Sequence, residues 1–312
     1  MRFEHTIENP VETSGVCLHT GVRCRLRLLP APSGAGVVFR RVDLEGFEVE
    51  ARAANIARVS YATSLMKKGV LISTTEHLLA ALYSTAIDNV YVELDNLEVP
   101  ILDGSAQPFV ELLAAAGRCR QRRRRRYLEI LQPIEVSDGE PGSQNHRSLG
   151  IYPAENSGGL NVDCTIDFAH PLIRRQRLAF TVDEENFREL LSRARTFCSY
   201  DELEQLRQMG LIRGGSLDCA VVLTSDGLLN EGGLRYTDEF CRHKALDLIG
   251  DLALLGRPLL GRVVAHRAGH ALHTALVLKL LRTPSAWRET TLDRLQVPAP
   301  SPSPAVATSA AR

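Results

Sequence analysis

His243, Asp247 and Asp251 recur at four-residue intervals within Arg242-His243-Lys244-Ala245-Leu246-Asp247-Leu248-Ile249-Gly250-Asp251. On a helix that spacing sets all three along one face, with a slight rotation per turn. Ala245, Leu246, Leu248, Ile249 and Leu252 surround the stripe, and polar groups inside an apolar helix need partners when buried. A histidine and a carboxylate one turn apart can ligate a single metal ion together. The same spacing also describes an exposed His/Asp pair, and the helix alone does not separate the two readings. A second pair, Glu76-His77, opens an apolar helix. A first-turn glutamate suits the helix dipole, so a plain helix start explains it equally well. The chemical reading makes His77 a third ligand and Glu76 a carboxylate that takes a proton from water without binding metal. Three protein ligands leave a fourth position open, the pattern of a catalytic rather than a structural zinc. His270, in Gly269-His270-Ala271-Leu272, falls between a strand end and a helix start. It reads as a capping or surface histidine or, beside a metal, as a general acid. Asp251 is then a partner that favours its protonated form.

The elements that must carry these residues follow from pattern. Val22–Leu29 and Gly36–Val42 alternate between Pro/Gly/Ser turns and read as strands. Ser-Thr-Thr-Glu-His before Leu-Leu-Ala-Ala-Leu marks a helix start over Ser73–Leu82. Val90–Leu94 reads as a strand, and Pro108–Ala116 as a helix with proline near its first turn. Arg118–Arg126 is a charge run without interleaved aromatics. It reads as a solvated interdomain linker in preference to a nucleic-acid patch. Beyond it, Tyr127–Val136, Ser148–Tyr152, Leu160–Ile166, Cys219–Leu223 and Gly261–His266 read as strands. Glu184–Ala194, Tyr200–Gln208, Tyr236–Leu255 and Leu272–Leu281 read as helices. Both halves run strands first, then helices. That order implies an α+β fold of two layered sheet-and-helix domains, not a wound βαβ sheet. The expected boundaries are 1–117, a basic linker over 118–126, 127–296, and a disordered Pro/Ser-rich tail over 297–312.

Composition excludes several classes. The 312 residues are 44% hydrophobic and 24% charged with zero formal net charge, so the overall balance argues for neither nucleic acid nor a membrane surface. Apolar runs such as Leu78–Leu82 are far too short to span a bilayer. Met1-Arg2-Phe3-Glu4-His5 has no secretory h-region. The seven cysteines (17, 24, 119, 164, 198, 219 and 241) are scattered, with no C-x-x-C pair. They read as reduced thiols of a cytoplasmic protein, not as disulfides or a cysteine zinc site.

Several stretches, in order, carry a family resemblance: G-V-C-L-H-T-G (15–21), I-S-T-T-E-H-L-L-A-A-L (72–82), I-D-N-V-Y-V-E-L (87–94), P-I-L-D-G-S-A-Q-P-F (100–109), T-I-D-F-A-H-P (165–171), S-R-A-R-T-F (192–197), G-G-S-L-D-C-A-V-V (214–222), L-R-Y-T-D-E-F-C-R-H-K-A-L-D-L-I-G-D-L (234–252) and G-H-A-L (269–272). In this register the chain resembles the zinc-dependent UDP-3-O-acyl-N-acetylglucosamine deacetylases of Gram-negative lipid A biosynthesis. The resemblance implies two similar α+β domains with the active site at their interface. It implies His77, His243 and Asp247 as zinc ligands, Glu76 as general base, and His270 as general acid beside Asp251. Thr196 matches a hydroxyl that stabilises the oxyanion, Lys244 and Phe197 match residues near the sugar, and Phe168 matches an aromatic against uracil. An insertion near residues 198–222 is expected to form an apolar passage for the acyl chain.

The implied reaction is the committed step of lipid A biosynthesis: hydrolysis of the substrate's acetamide to acetate and the free 2-amino sugar nucleotide. Iron(II) also suits a His/His/Asp set. The chain departs from the family pattern at Cys17 and Cys198 (glycine is usual), Ala268 (serine) and His273 (asparagine). Cys198 bears on chain-length preference. A monomer is expected, with no nucleic-acid partner and no integral membrane segment. The alternatives are a zinc amidohydrolase for another N-acyl compound and a non-catalytic sugar-nucleotide or acyl-binding protein.

Overall fold

The computed structural model describes residues 1–57, 61–143, 145–154 and 158–294. The tail anticipated from Val297 lies outside the described residues. Chain order in the first half is β1 (Phe3–Ile7), β2 (Val11–Val16), β3 (Arg23–Pro30), β4 (Val37–Arg41), β5 (Phe47–Glu50), β6 (Leu65–Lys67), β7 (Val70–Ile72), α1 (Glu76–Ser84), β8 (Val90–Leu94), α2 (Gln107–Ala116) and β9 (Arg118–Arg124). The second half runs β10 (Tyr127–Ile130), β11 (Ile134–Asp138), β12 (Arg147–Tyr152), β13 (Leu160–Phe168), β14 (Arg174–Thr181), α3 (Glu184–Asn186), β15 (Phe197–Ser199), α4 (Tyr200–Gln208), β16 (Val221–Leu223), α5 (Glu239–Leu252), β17 (Leu259–His266), α6 (His270–Leu281) and β18 (Trp287–Thr290).

The two halves repeat one topology. The first sheet has the order β2-β3-β8-β4-β5, antiparallel except for the β4/β8 pair. The second has β11-β12-β17-β13-β14, antiparallel except for β13/β17. The strands β10 and β18 extend it beside the start of β17. In each half the crossover between the parallel pair contains a largely buried helix, α1 or α5, and another helix, α2 or α6, follows the central strand. The α+β class and the two similar domains therefore stand. Neither sheet is a wound βαβ sheet: each has a single parallel pair of this kind, which needs a crossover because parallel neighbours cannot be joined by a hairpin.

Alternation places the strands. In β3, Cys24, Leu26 and Leu28 are buried while Arg23, Arg25 and Arg27 are exposed, the period of two that one solvated face requires. Helix α1 buries every residue from Glu76 to Leu82, as a helix that is apolar all round must. It packs on α5, which is buried almost throughout from Glu239 to Leu252. At their contact Gly250 lies against the backbone of Glu76: a Cβ built on Gly250 would stand 2.1 Å from the Glu76 carbonyl oxygen.

Local differences from the sequence reading have tertiary causes. Thr75 does not cap α1; its hydroxyl donates to the Thr63 carbonyl. Tyr127–Val136 is two strands, because Leu131 to Pro133 break it and Pro cannot donate to a ladder. Glu184–Ala194 becomes the single turn α3 and a π-helical turn, Phe187–Leu191. The arginine run joins the two halves, but as a strand and not a solvated linker. It pairs antiparallel with β1, and Arg120 and Arg124 stack on Phe3. Arg118, Arg123, Arg124, Arg125 and Arg126 are ion-paired to Glu184, Glu4, Asp293, Asp88 and Glu289.

Gly250→Ala is expected to destabilise the fold by about 2 kcal/mol, the scale of overpacking in a closed contact, although alanine is the better helix former. Chemical denaturation measures it; an unchanged midpoint would show that the helices do not need the glycine.

Candidate active site

The seam between α1 and α5 brings His77 to His243 and Asp247. Their donor atoms, one from each residue, lie within 4.8 Å of one another, and all three residues are buried. His77 Nε2 is 3.7 Å and His243 Nε2 3.5 Å from Asp247 Oδ1. The two imidazoles meet edge to face, with centroids 5.0 Å apart. His243 Nδ1 donates to the Ala194 carbonyl at 3.1 Å, which fixes the tautomer and leaves Nε2 as a lone-pair donor. Burial holds His243 down to about 4, so it is neutral, as a ligand must be. Lys244 Nζ donates to Asp247 Oδ2 at 2.9 Å. Burial opposes ionisation of Asp247, but His243 and Lys244 hold its carboxyl well below the ordinary range. Two imidazoles and one carboxylate converging in this way fit a divalent cation of the zinc or iron(II) kind.

A second set flanks this cluster. Asp251, one turn beyond Asp247 on α5, accepts Nδ1–H from His270 and from His273, each at 2.7 Å on Oδ2. Its Oδ1 accepts the Thr63 hydroxyl. Burial acts against the Asp251 charge, yet His270 and these hydrogen bonds hold it down to about 2. Burial likewise lowers His270, but the Asp251 charge and hydrogen bond outweigh it and raise His270 to about 9. His270 Nε2 is left 3.8 Å from Asp247 Oδ2. Glu76, the first residue of α1, accepts one backbone N–H, from Thr63 at 3.1 Å. Burial pushes its carboxyl up, with His270 and His77 opposing.

The remaining predicted residues lie on the segment leading into β15 and beside it. Arg195 and Glu239 form a buried ion pair in which Glu239 Oε1 accepts both the Arg195 backbone N–H and Nε at 2.9 Å. Oε2 accepts Arg195 Nη2 at 3.2 Å and the Arg235 N–H at 2.6 Å. Thr196 N–H donates to the Gly104 carbonyl across the seam at 2.9 Å. Phe197 meets Phe240, Phe168 and His243 edge-on at 4.9, 6.0 and 6.2 Å between centroids, and Lys244 Nζ lies 5.7 Å from its ring centre. Phe168, at the end of β13, is 42% exposed. Beyond them, Leu18, Cys198, Leu203, Ile212, Leu217 and Val222 help line an apolar cavity of about 210 Å³, where the insertion was expected. The structure brings His77, His243, Asp247, Asp251, His270, Glu76 and Lys244 together and sets Phe197 against His243; Phe168 joins them only through Phe197, and Thr196 is placed by its backbone alone. Sequence reasoning missed Thr63, the Ala194 carbonyl and the Arg195–Glu239 pair. It noted His273 only as an unusual residue, and no local pattern signals the others.

A two-lobed α+β fold with a buried His/His/Asp set at the seam, flanked by a carboxylate and a carboxylate-backed imidazole, has the layout of a metal-dependent hydrolase. The chain belongs to the UDP-3-O-acyl N-acetylglycosamine deacetylase (LpxC) family, whose family model matches residues 4–282. It is 56% identical over 295 residues to UDP-3-O-acyl-N-acetylglucosamine deacetylase of Solibacter usitatus (strain Ellin6076), covering 95% of this chain and 97% of the relative. It is 45% identical to the protein of the same name from Saccharophagus degradans, over 93% of this chain and 94% of the relative. The Anaeromyxobacter sp. (strain Fw109-5) deacetylase is 44% identical over 91% of this chain and 90% of its own length. Among the described residues no helix is long and apolar enough to cross a membrane.

Because Glu239 neutralises a buried arginine, Glu239→Gln is expected to cost about 3 kcal/mol of stability. Denaturant titration of the variant reads this; a loss below about 1 kcal/mol would mean that water replaces the carboxylate.

Proposed function

We propose that this chain hydrolyses the acetamide of UDP-3-O-(3-hydroxyacyl)-N-acetylglucosamine, releasing acetate and the free 2-amino sugar nucleotide for lipid A biosynthesis. It does so as a cytoplasmic monomer. The observation that carries the reading is the convergence of His77, His243 and Asp247 with Glu76 and the Asp251–His270 pair on the two central helices and the start of α6. Zinc held by the two histidines and Asp247 would supply Lewis acidity to the amide carbonyl and to water; iron(II) suits the same donors.

The protein's own groups divide the proton transfers. Glu76, buried and hydrogen-bonded by the Thr63 N–H, accepts the proton of the attacking water. His270, protonated through its bond to Asp251, donates to the departing amine. Thr196 offers its hydroxyl to the developing oxyanion. Lys244 and Phe197 flank the sugar, and Phe168 presents an exposed ring to the uracil. The apolar cavity behind Cys198 takes the acyl chain.

Incubation with the UDP-sugar is expected to release one acetate per substrate. A chelator should abolish this and zinc restore it, with metal analysis identifying the native ion. Glu76→Gln and His270→Ala are each expected to lower kcat by about 10²–10⁴-fold while retaining metal. An empty metal site in Glu76→Gln would make Glu76 a ligand and end its assignment as base. Cys198→Trp is expected to raise KM for long acyl chains more than for short ones; an equal effect on both would remove the cavity from acyl recognition.

A further inference from the structure

At the far ends of α1 and α5 from the metal-ligand cluster, a second cleft opens at the seam. It is lined by Leu82 and Tyr83 of α1, by Ala253, Gly256 and Pro258 beyond α5, and by four arginines: Arg52, Arg125, Arg126 and Arg257. Its volume is about 70 Å³, enough for a few waters or one tetrahedral oxyanion.

The charges around it do not balance. Arg125 is matched by Asp88 at 2.7 Å, and the nearby Arg123 by Glu4 at 3.4 Å. Of the other three guanidiniums, Arg126 and Arg257 share one carboxylate, Glu289. Arg126 Nη1 takes Glu289 Oε2 at 2.9 Å, and Arg257 Nε is left 3.9 Å from Oε1. That nitrogen is buried and has no hydrogen-bond partner among the described residues, while Arg257 Nη1 donates to the Gly256 carbonyl. The Arg52 guanidinium makes no ion pair or hydrogen bond among the described residues. Burial holds Arg257 below its ordinary value; Glu289 opposes this and Arg52 adds to it. Arg257 is half-buried, and Arg52 and Arg126 reach the cleft from its exposed rim. A guanidinium cannot shed its proton, so among the described residues two positive charges here have no carboxylate of their own. Water would satisfy Arg257 Nε but would not neutralise the cleft.

We propose that this cleft is a binding site for a phosphate dianion, held by Arg52, Arg126 and Arg257. Forked guanidinium donors match a phosphate's oxygens. The dianion would compensate the two unmatched charges and tie together Arg52 of the first half, Arg126 at the junction after β9 and Arg257 of the second half. The site is separate from the proposed catalytic chemistry and does not depend on it.

Thermal unfolding of the full chain, titrated with inorganic phosphate at constant ionic strength, tests this. Tm is expected to rise saturably, by about 3 °C at ten times Kd. Arg52→Gln and Arg257→Gln should each weaken the effect at least tenfold, and Arg122→Gln, on an exposed arginine outside the cleft, should not. Glycerol phosphate distinguishes the ligand's source: competition means that the phosphoryl group of a larger molecule enters, and exclusion means that the free ion is the ligand. No rise with phosphate, an equal rise with chloride, or a rise that survives in both cleft variants would overturn the proposal.

Discussion

The close contact of α1 with α5 is the constraint on which the rest of the site depends. The two helices approach so nearly at Gly250 that no side chain fits between that residue and the Glu76 carbonyl. That approach presses the first turn of α1, with Glu76 and His77, against the face of α5 that bears His243, Asp247 and Asp251. A wider crossing would leave His77 out of reach of Asp247. The contact also excludes water from five ionisable side chains, which raises the electrostatic stakes of every partner each one has.

The repeated topology explains why such a contact arises at this point in the chain. Each half carries one largely buried helix, α1 or α5, in the crossover between its parallel strands. Such a helix must bury an apolar face on its own sheet. Here α1 and α5 are too apolar to leave their other faces in water, and each covers the other's. The polar residues that chemistry needs therefore collect on an otherwise apolar interface, where only mutual pairing makes them tolerable. The ion-paired arginine strand and the Asp103–Arg235 bridge at 2.7 Å fasten the halves at the periphery.

Much of this was legible in the chain, and the failures share a cause. The four-residue spacing of His243, Asp247 and Asp251 does fall on one helical face, and alternation located β3, β8, β12 and β17. Spacing alone could not join His77 to them, because the α1–α5 contact spans most of the sequence; only the ordered family motifs supplied the link. The arginine run was misread because charge density resembles solvation in sequence. Its partners, Phe3, Glu4, Asp88, Glu184, Glu289 and Asp293, come from far along the chain. Thr63 and Glu239 are invisible for the same reason: a threonine or glutamate acquires meaning only from what folds against it.

The buried carboxylates at the seam are not equivalent, and their hydrogen bonds divide their duties. Among the described residues Glu239 accepts four hydrogen bonds and Asp251 three. Those groups are committed to their ionised form and serve to hold others: Glu239 fixes the segment that carries Ala194 and Thr196, and Asp251 fixes His270. Glu76 accepts, among the described residues, a single backbone N–H in a fully buried setting. A carboxylate so sparsely bonded gives up less than its neighbours on taking a proton. Thr63 bonds both carboxylates, through its N–H to Glu76 and its hydroxyl to Asp251. One residue thus sets the spacing between Glu76 and His270, the two groups to which the proposed mechanism gives opposite proton transfers.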